Sequence, residues 1–382
     1  MTNWNAMSDE EFRQIARKFI EDNYPQKLRY PSKRLRWAEI KDWYFTQSKA
    51  GWIAPGWPVE HGGMGLAPGK LIIWVEEQEN YGVGRAPDHG LTMIGPTIIQ
   101  LGSPEQKAQY LPKIITGEHV WGQCYSEPNA GSDLASLRTE AVLDGDHFVV
   151  NGQKIWSTLA QDATHLYVLV RTDKNVKKQE GITFLLVDAN TPGITIRPIM
   201  TIAGDDKFCE VFFDNVRVPA ANVIGGVNKG WTVAKTQLGF ERIFLGSPKL
   251  PQYALGRLED IALKIGAFDD ALFTDKFTQL KLDVADLNAL YRRYTEIVRR
   301  GGQLPPDVSM LKVWSTETYA RIASLMVEVA GAAGGLDGAT DLGGMTEDIM
   351  THYYYARPAT IYGGSNEVQR NILSRATLNL PG

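Results

Sequence analysis

From Asp9 to about Gly117, apolar residues recur every three or four positions in EEFRQIARKFIEDNY, RWAEIKDWYFTQSKAG and KLIIWVEEQENYG, a spacing that predicts amphipathic helices. Ser8 before Glu11 predicts a capping box, and Ser103-Pro104 ahead of EQKAQYLPKII predicts a helix with proline at its first position. From Val120 to about Val218 the pattern becomes strand-like. LRTEAVLDGDHFVVNGQKIW reads as two β-rich arms about Asp144-Gly145. THLYVLVRT, GITFLLVDA, GITIRPIM and FCEVFFDNVRVP follow, punctuated by Gly, Pro and Asn. After Gly230 the helical period returns in KFTQLKLDVADLNALYRRYTEIVRR and LKVWSTETYARIASLMVEVAG, and segments of this length predict a bundle with the Trp, Tyr and Leu stripes in its core. The expected division is helical over 1–119, β over 120–228 and helical over 229–382, an α+β multi-domain chain.

At 382 residues the chain exceeds one ordinary core and should fold without covalent staples. Cys124 and Cys209 are the two cysteines, expected as free thiols in a reducing compartment. The net charge of −4, with no dense Lys/Arg block, argues against nucleic acid or an anionic membrane as the main partner. The polar start and the lack of any run of about 18 apolar residues predict a soluble, cytoplasmic protein. His61, His89 and His165 have no metal-ligand spacing, so no metal is expected. Gly62-Gly63 and Gly334-Gly335 lack the strand and helix context of a dinucleotide fingerprint.

The most informative run is QCYSEPNAGSDLAS, Gln123 to Ser136, because small hydroxyl residues and glycine can line a cofactor with backbone N–H groups and short side chains. Two further motifs are NGQKIWSTLAQDATH from Asn151 to His165 and IYGGSNEVQRNIL from Ile361 to Leu373. In this order the three resemble the acyl-CoA dehydrogenase family over essentially the whole chain, with Tyr125 standing where a smaller aliphatic residue is usual. The resemblance implies an N-terminal helical lobe, a central β-barrel-like domain and a C-terminal four-helix bundle. It also implies removal of an α-proton and a β-hydride from an acyl-CoA, with FAD as hydride acceptor. Fixed donors must polarise the thioester oxygen for the α-hydrogen to become acidic; the resemblance assigns these to a flavin ribityl hydroxyl and the backbone N–H of Gly363. It places Gln123, Tyr125 and Ser126 at the flavin pyrimidine edge, Trp156 on the ring and Thr158 at its reactive nitrogen, with Ser157 among the cofactor-binding residues. Ser132 would meet the CoA arm and also border the cofactor. Ser365 and Glu367 would contact the cofactor, and Arg242, Tyr362, Gly363 and Gly364 the substrate. The residues alone leave open that Trp156 is an ordinary core aromatic.

Many members of the family carry a catalytic glutamate directly after the tyrosine; here Gly363 follows Tyr362 and cannot take a proton. A subset including the isovaleryl and long-chain enzymes places its glutamate on a bundle helix before an arginine, and GFERIFLG puts Glu241 there, with Arg242 behind it. Burial beside a flavin and an acyl chain would raise the pKa of Glu241 towards that of a useful base. The plainer alternative is a solvated glutamate paired with Lys235.

Homotetrameric members lend an arginine near an FG dipeptide and a glutamine before a glycine pair to the neighbouring flavin. Here KIGAFDDALFTDKF has no arginine, and VEVAGAAGG places Glu328 near the glutamine position, where an acidic side chain disfavours a diphosphate. The resemblance is therefore to the larger chain of heteromeric bacterial enzymes, and an α2β2 complex is expected over a homotetramer, with an electron-transferring flavoprotein as acceptor. A non-catalytic supporting subunit, and a related oxidase or desulfinase, are the competing readings. Branched, long, steroid side-chain, alicyclic, aryl and dicarboxylic acyl-CoAs all remain open.

Overall fold

The computed structural model describes residues 2–31, 33–84, 89–240 and 246–381, leaving aside the side chains of 238–240. They form two compact units, Met1–Phe240 and Glu241–Gly382. The first opens with helices α1 (Asp9–Asn23), α2 (Trp37–Ala50), α3 (Pro68–Tyr81), α4 (Gly95–Leu101) and α5 (Pro104–Thr116). Ser8 caps α1 by accepting the Glu11 N–H at 3.1 Å, and Phe12, Ala16 and Ile20, four residues apart, form its buried stripe. At α5 the capping box is reciprocal: Ser103 Oγ accepts the Gln106 N–H, and Gln106 Oε1 accepts the Ser103 N–H.

Eight strands follow: β1 (Trp121–Cys124), β2 (Glu140–Asp144), β3 (His147–Thr158), β4 (His165–Arg171), β5 (Ile182–Asp188), β6 (Ile194–Ile199), β7 (Phe208–Pro219) and β8 (Val223–Ile224). Their order is β6-β7-β3-β2-β4-β5-β8, with β1 parallel to β4. Among the described residues the path runs from β6 to β8 without closing, so an eight-stranded sheet stands where the resemblance implied a barrel-like domain. The join between β2 and β4 is a single parallel pair, Glu140 with Arg171, and the far edge, β8, has two residues. On β4, Tyr167 and Leu169 face one apolar core while Leu166, Val168 and Val170 face a second, which is why the strand is buried along its length. Cys124 and Cys209 are free thiols inside the second core. The unit ends with α6 (Gly230–Phe240).

The second unit contains α7 (Lys249–Ile265), α8 (Ala271–Arg299), α9 (Ser309–Val329), α10 (Ile349–Ala359) and α11 (Asn366–Ala376). The described residues thus give a bundle of five helices, in which α9 touches each of the others. Leu258, Ile261, Phe277, Ile322 and Met326 are central to its core. Among the described residues no helix is long and apolar enough to cross a membrane.

His119 and His165 stack in the first unit with ring centroids 3.7 Å apart, bordered by Tyr110 and Trp121. Burial, then the neighbouring His119, push His165 down to about 4; Asp188 and Glu118 oppose the shift and Lys113 adds to it. The unfolded imidazole takes its proton near 6.5. The stability held in the neutral pair is therefore complete above that pH and is lost as pH falls towards 4. Urea titrations across this window are expected to record the loss, and His165→Leu to flatten it; an equally steep decline in the variant would place the loss elsewhere.

Candidate functional site

The β3–β7 ladder shifts register twice, first between Val150 and Gly152 and again after Lys154, where Ile155 and Trp156 stand against the single residue Glu210 before pairing resumes at Ser157. At this bulge Trp156 takes a left-handed φ of 62°, a conformation that costs a non-glycine residue about 1–3 kcal/mol. Its indole is 56% exposed and meets Phe208 edge-on. The Ile155 N–H leaves the ladder and donates to the Ser126 carbonyl at 2.9 Å, joining the strand to the run that begins at Gln123. Ser157 is buried, its hydroxyl 3.5 Å from Cys124 Sγ, and Thr158 closes the strand opposite Phe208.

The irregular run that leaves β1 is fixed by three buried charges. Lys154 Nζ donates to the Tyr125 carbonyl at 3.1 Å and to Glu127 Oε1 at 2.8 Å. Glu127 also accepts the backbone N–H groups of Thr139 at 2.8 Å and Arg138 at 2.6 Å. Burial alone would push the Glu127 carboxyl up, but Lys154 and these donors bring it below its ordinary value; burial lowers the Lys154 ammonium, with Glu127 opposing. Arg171 donates to the carbonyls of Ala135 and Lys178, each at 2.6 Å, and to that of Leu137. Burial lowers its pKa, with Glu127 opposing.

Of the residues expected here, Gln123 lies on β1 opposite Tyr167, and Ser126 is half-buried beside the bulge. Ser132 is exposed on the stapled run. The Tyr125 side chain goes inward, packing on Tyr167 and Phe184, and its hydroxyl donates to Gln237 on α6. The Ile155–Ser126 hydrogen bond thus ties the strand that carries Trp156 and Thr158 to the run after β1 that carries Ser126.

In the second unit the expected residues share one turn. Tyr362 is 46% exposed, and Gly363 and Gly364 have φ of 66° and 82°, the left-handed region that favours glycine. Ser365 caps α11 by accepting the Val368 N–H at 3.4 Å, and Gln369 Nε2 donates to the Gly363 carbonyl at 3.2 Å. Glu367, in the first turn, is held below its ordinary carboxylate value by its own backbone N–H and by Ser365. Beneath the turn, buried Lys312 donates to Asn366 Oδ1 at 2.8 Å, and burial pushes it down to about 8. Glu328 pairs with Lys276 and, with Asp270, lines a cleft that includes Ile265, Leu272 and Phe273. Glu241 and Arg242 lie outside the described residues.

Sequence reading missed Glu127, Lys154, Arg171, Gln237 and Lys312. The first two sat within the motifs already singled out: a lysine in an otherwise strand-like arm and a carboxylate in the polar run are a pair waiting to be matched.

Three family models match the chain: "Acyl-CoA dehydrogenase, N-terminal domain" at residues 7–118, the middle domain at 122–216 and the C-terminal domain at 228–378. The chain is similar to "Acyl-CoA dehydrogenase IpdE1" of Mycolicibacterium smegmatis, 37% identical with 97% of this chain and 98% of that one covered. It is 35% identical to "Acyl-CoA dehydrogenase FadE26" of Mycobacterium tuberculosis, with 87% and 85% covered. Among solved structures it resembles the "Tcur3481-Tcur3483 steroid ACAD" (TM-score 0.87, 29% identity, 98% and 97% covered). It also resembles the "ChsE4-ChsE5 complex from Mycobacterium tuberculosis" (TM-score 0.78, 31% identity, all of both chains covered).

Removing one member of the buried pair strands the other. Lys154→Met is expected to destabilise the protein by about 3–5 kcal/mol, and Glu127→Gln added to it to recover most of that loss. Guanidinium unfolding of the single and double variants measures this; a mild single variant would mean that Glu127 is satisfied by its backbone donors alone.

Proposed function

Because the chain belongs to the acyl-CoA dehydrogenase family, whose members oxidise acyl-CoA thioesters with a flavin, we propose that it converts an acyl-CoA to the trans-2-enoyl-CoA with Glu241 as base. FAD, when bound, supplies the hydride acceptor. The α-proton passes to the Glu241 carboxylate as the β-hydride leaves, and the electron pair of the α C–H bond becomes the new double bond. An electron-transferring flavoprotein would be the final electron acceptor. Helical 1–119, β 120–228 and helical 229–382 are the proposed domains.

The observation that carries this reading is the bulge at Trp156. A strand with only a structural task has no use for a strained backbone that turns an indole outward, whereas a flat cofactor ring does. Backbone groups of Gln123, Tyr125 and Ser126 and the Thr158 hydroxyl would hold that ring's polar edge, and Ser132 the CoA arm. Ser157 would back the ring from within the sheet. In the second unit the Gly363 N–H would polarise the thioester oxygen, Tyr362, Gly364 and Arg242 would border the acyl-CoA, and Ser365 and Glu367 the cofactor. With glycine at 363 the carboxylate must come from another segment, and Glu241 is the residue placed by sequence to supply it. Glu241→Gln is expected to abolish substrate-driven bleaching of the flavin while FAD stays bound; unaltered bleaching would exclude this base and favour the competing reading of a supporting subunit.

A paralogous subunit is proposed to complete an α2β2 enzyme. Asp270 and Glu328 make the cleft of the second unit acidic, a poor surface to offer a neighbour's diphosphate, and two of the structural relatives carry two-component names. The chain expressed alone is expected to hold less than one FAD per chain and to recover it on co-expression with its partner; a lone tetramer fully loaded with FAD would refute the mixed assembly. The proposed substrate is a cyclic, steroid-derived acyl-CoA, supported by the steroid enzyme among the structural relatives and by the absence of side-chain bulk at Gly363.

A further inference from the structure

Gln237 on α6 is completely buried in the first unit. The Tyr125 hydroxyl donates to its Oε1, while its Nε2 has no hydrogen-bond partner among the described residues. Turning the amide over does not remove the difficulty, since the tyrosine oxygen serves either amide atom and the other is then left over. A buried polar atom without a partner costs about 1–3 kcal/mol. Satisfying the Tyr125 hydroxyl needs one polar atom; Gln237 brings two, and the second is surplus to the core.

Its surroundings and position point to a ligand. Tyr125 packs edge-on to Tyr167 with ring centroids 5.7 Å apart, and the Tyr167 hydroxyl lies 3.4 Å from His89 Nδ1. Polar heads therefore gather in a core otherwise formed by residues such as Trp57, Met93, Ile94 and Phe184. Tyr125 belongs to the stapled run of the candidate site, and Gln237 precedes Glu241 by four residues in the chain.

We propose that Gln237 is a specificity-determining residue that reads an oxygen on the acyl skeleton, so that the substrate is an acyl-CoA bearing a ketone or hydroxyl group rather than a plain hydrocarbon chain. This rests on the dehydrogenase reading and deepens it by naming a substrate class. An oxygenated acyl group pairs the surplus amide atom; a hydrocarbon of the same shape leaves it stranded in a drier site, which is how buried polar groups reject analogues lacking their partner. A ketone only accepts and meets Nε2, whereas a hydroxyl suits the amide in either orientation.

The test uses the flavin-loaded enzyme with its partner subunit and size-matched cyclic acyl-CoAs bearing a ring ketone, a ring hydroxyl or neither. Both kcat/KM and anaerobic Kd from the flavin spectrum are measured. The wild type is expected to favour an oxygenated member by at least about tenfold, and Gln237→Leu to lose that preference while keeping its FAD content and flavin spectrum. A ketone preference without a hydroxyl preference identifies Nε2 as the reading atom. If Gln237 only satisfies Tyr125, then Gln237→Leu and Tyr125→Phe lower Tm alike and leave the substrate ratio unchanged; that unchanged ratio overturns the proposal. A wild-type ratio near one overturns it even where the variant fails to fold. Failure of every acyl-CoA to bleach the wild-type flavin would instead sink the dehydrogenase reading, and this inference with it.

Discussion

The Glu127–Lys154 pair is the interaction on which the first unit's site depends. Moving a carboxylate and an ammonium out of water costs several kcal/mol per ion, so such a pair persists only where nearly every lone pair and proton finds a partner. Here Glu127 collects Lys154 and two backbone N–H groups, and Lys154 adds the Tyr125 carbonyl. These bonds fall on both ends of a run of about a dozen residues with little regular structure, so ions that contribute little as a pair contribute loop order. Arg171 extends the device by donating to the carbonyls of Ala135 and Leu137, near the far end of the same run. The bulge follows from the same constraint. Lys154 and Trp156 are two residues apart and would share a face in a regular strand, yet one is fully buried and the other more than half exposed. The extra residue and its left-handed φ separate them.

The second unit solves a similar problem with weaker chemistry. Lys312 is also buried beneath a motif turn, but its partner is the Asn366 amide, with the carboxylates of Glu317 and Glu367 acting only through space. Burial lowers the pKa of both lysines, Lys154 and Lys312, with the nearby carboxylates opposing in each case. Each unit thus orders its own motif with its own buried lysine, and the order of one turn does not wait on the other.

Periodicity made the elements legible. The strand-like arms about Asp144-Gly145 are β2 and β3, and both long helical segments of the C-terminal region are single helices, because alternation and the 3.6-residue repeat are local properties. Closure of the sheet was not legible. Whether two edges meet depends on the crossing that lays β1 parallel to β4 and on a single β2–β4 pair, neither of which leaves a local trace. The motif around Trp156 was readable as a resemblance, but not its bulge, since NGQKIWST carries no sign of where β7 will skip a residue. Tyr125 stood out in sequence as too large for its place. What it reaches, Gln237, lies 112 positions away, and no spacing rule connects them. For Glu241 the sequence remains the whole argument, because it lies outside the described residues.

The turn at Gly363 shows why the missing carboxylate there is more than a substituted side chain. Two successive left-handed residues form it, and placing a side chain at either would cost about 1–2 kcal/mol in backbone strain alone. At Gly364 a β-carbon would also come within 2.8 Å of Gln369 Nε2, the group that holds the Gly363 carbonyl. A turn built this way is suited to offering main-chain groups, and a glutamate returned to 363 would carry the same left-handed strain that Trp156 carries at its bulge. A base for this site has to arrive from a segment whose backbone is free to carry one.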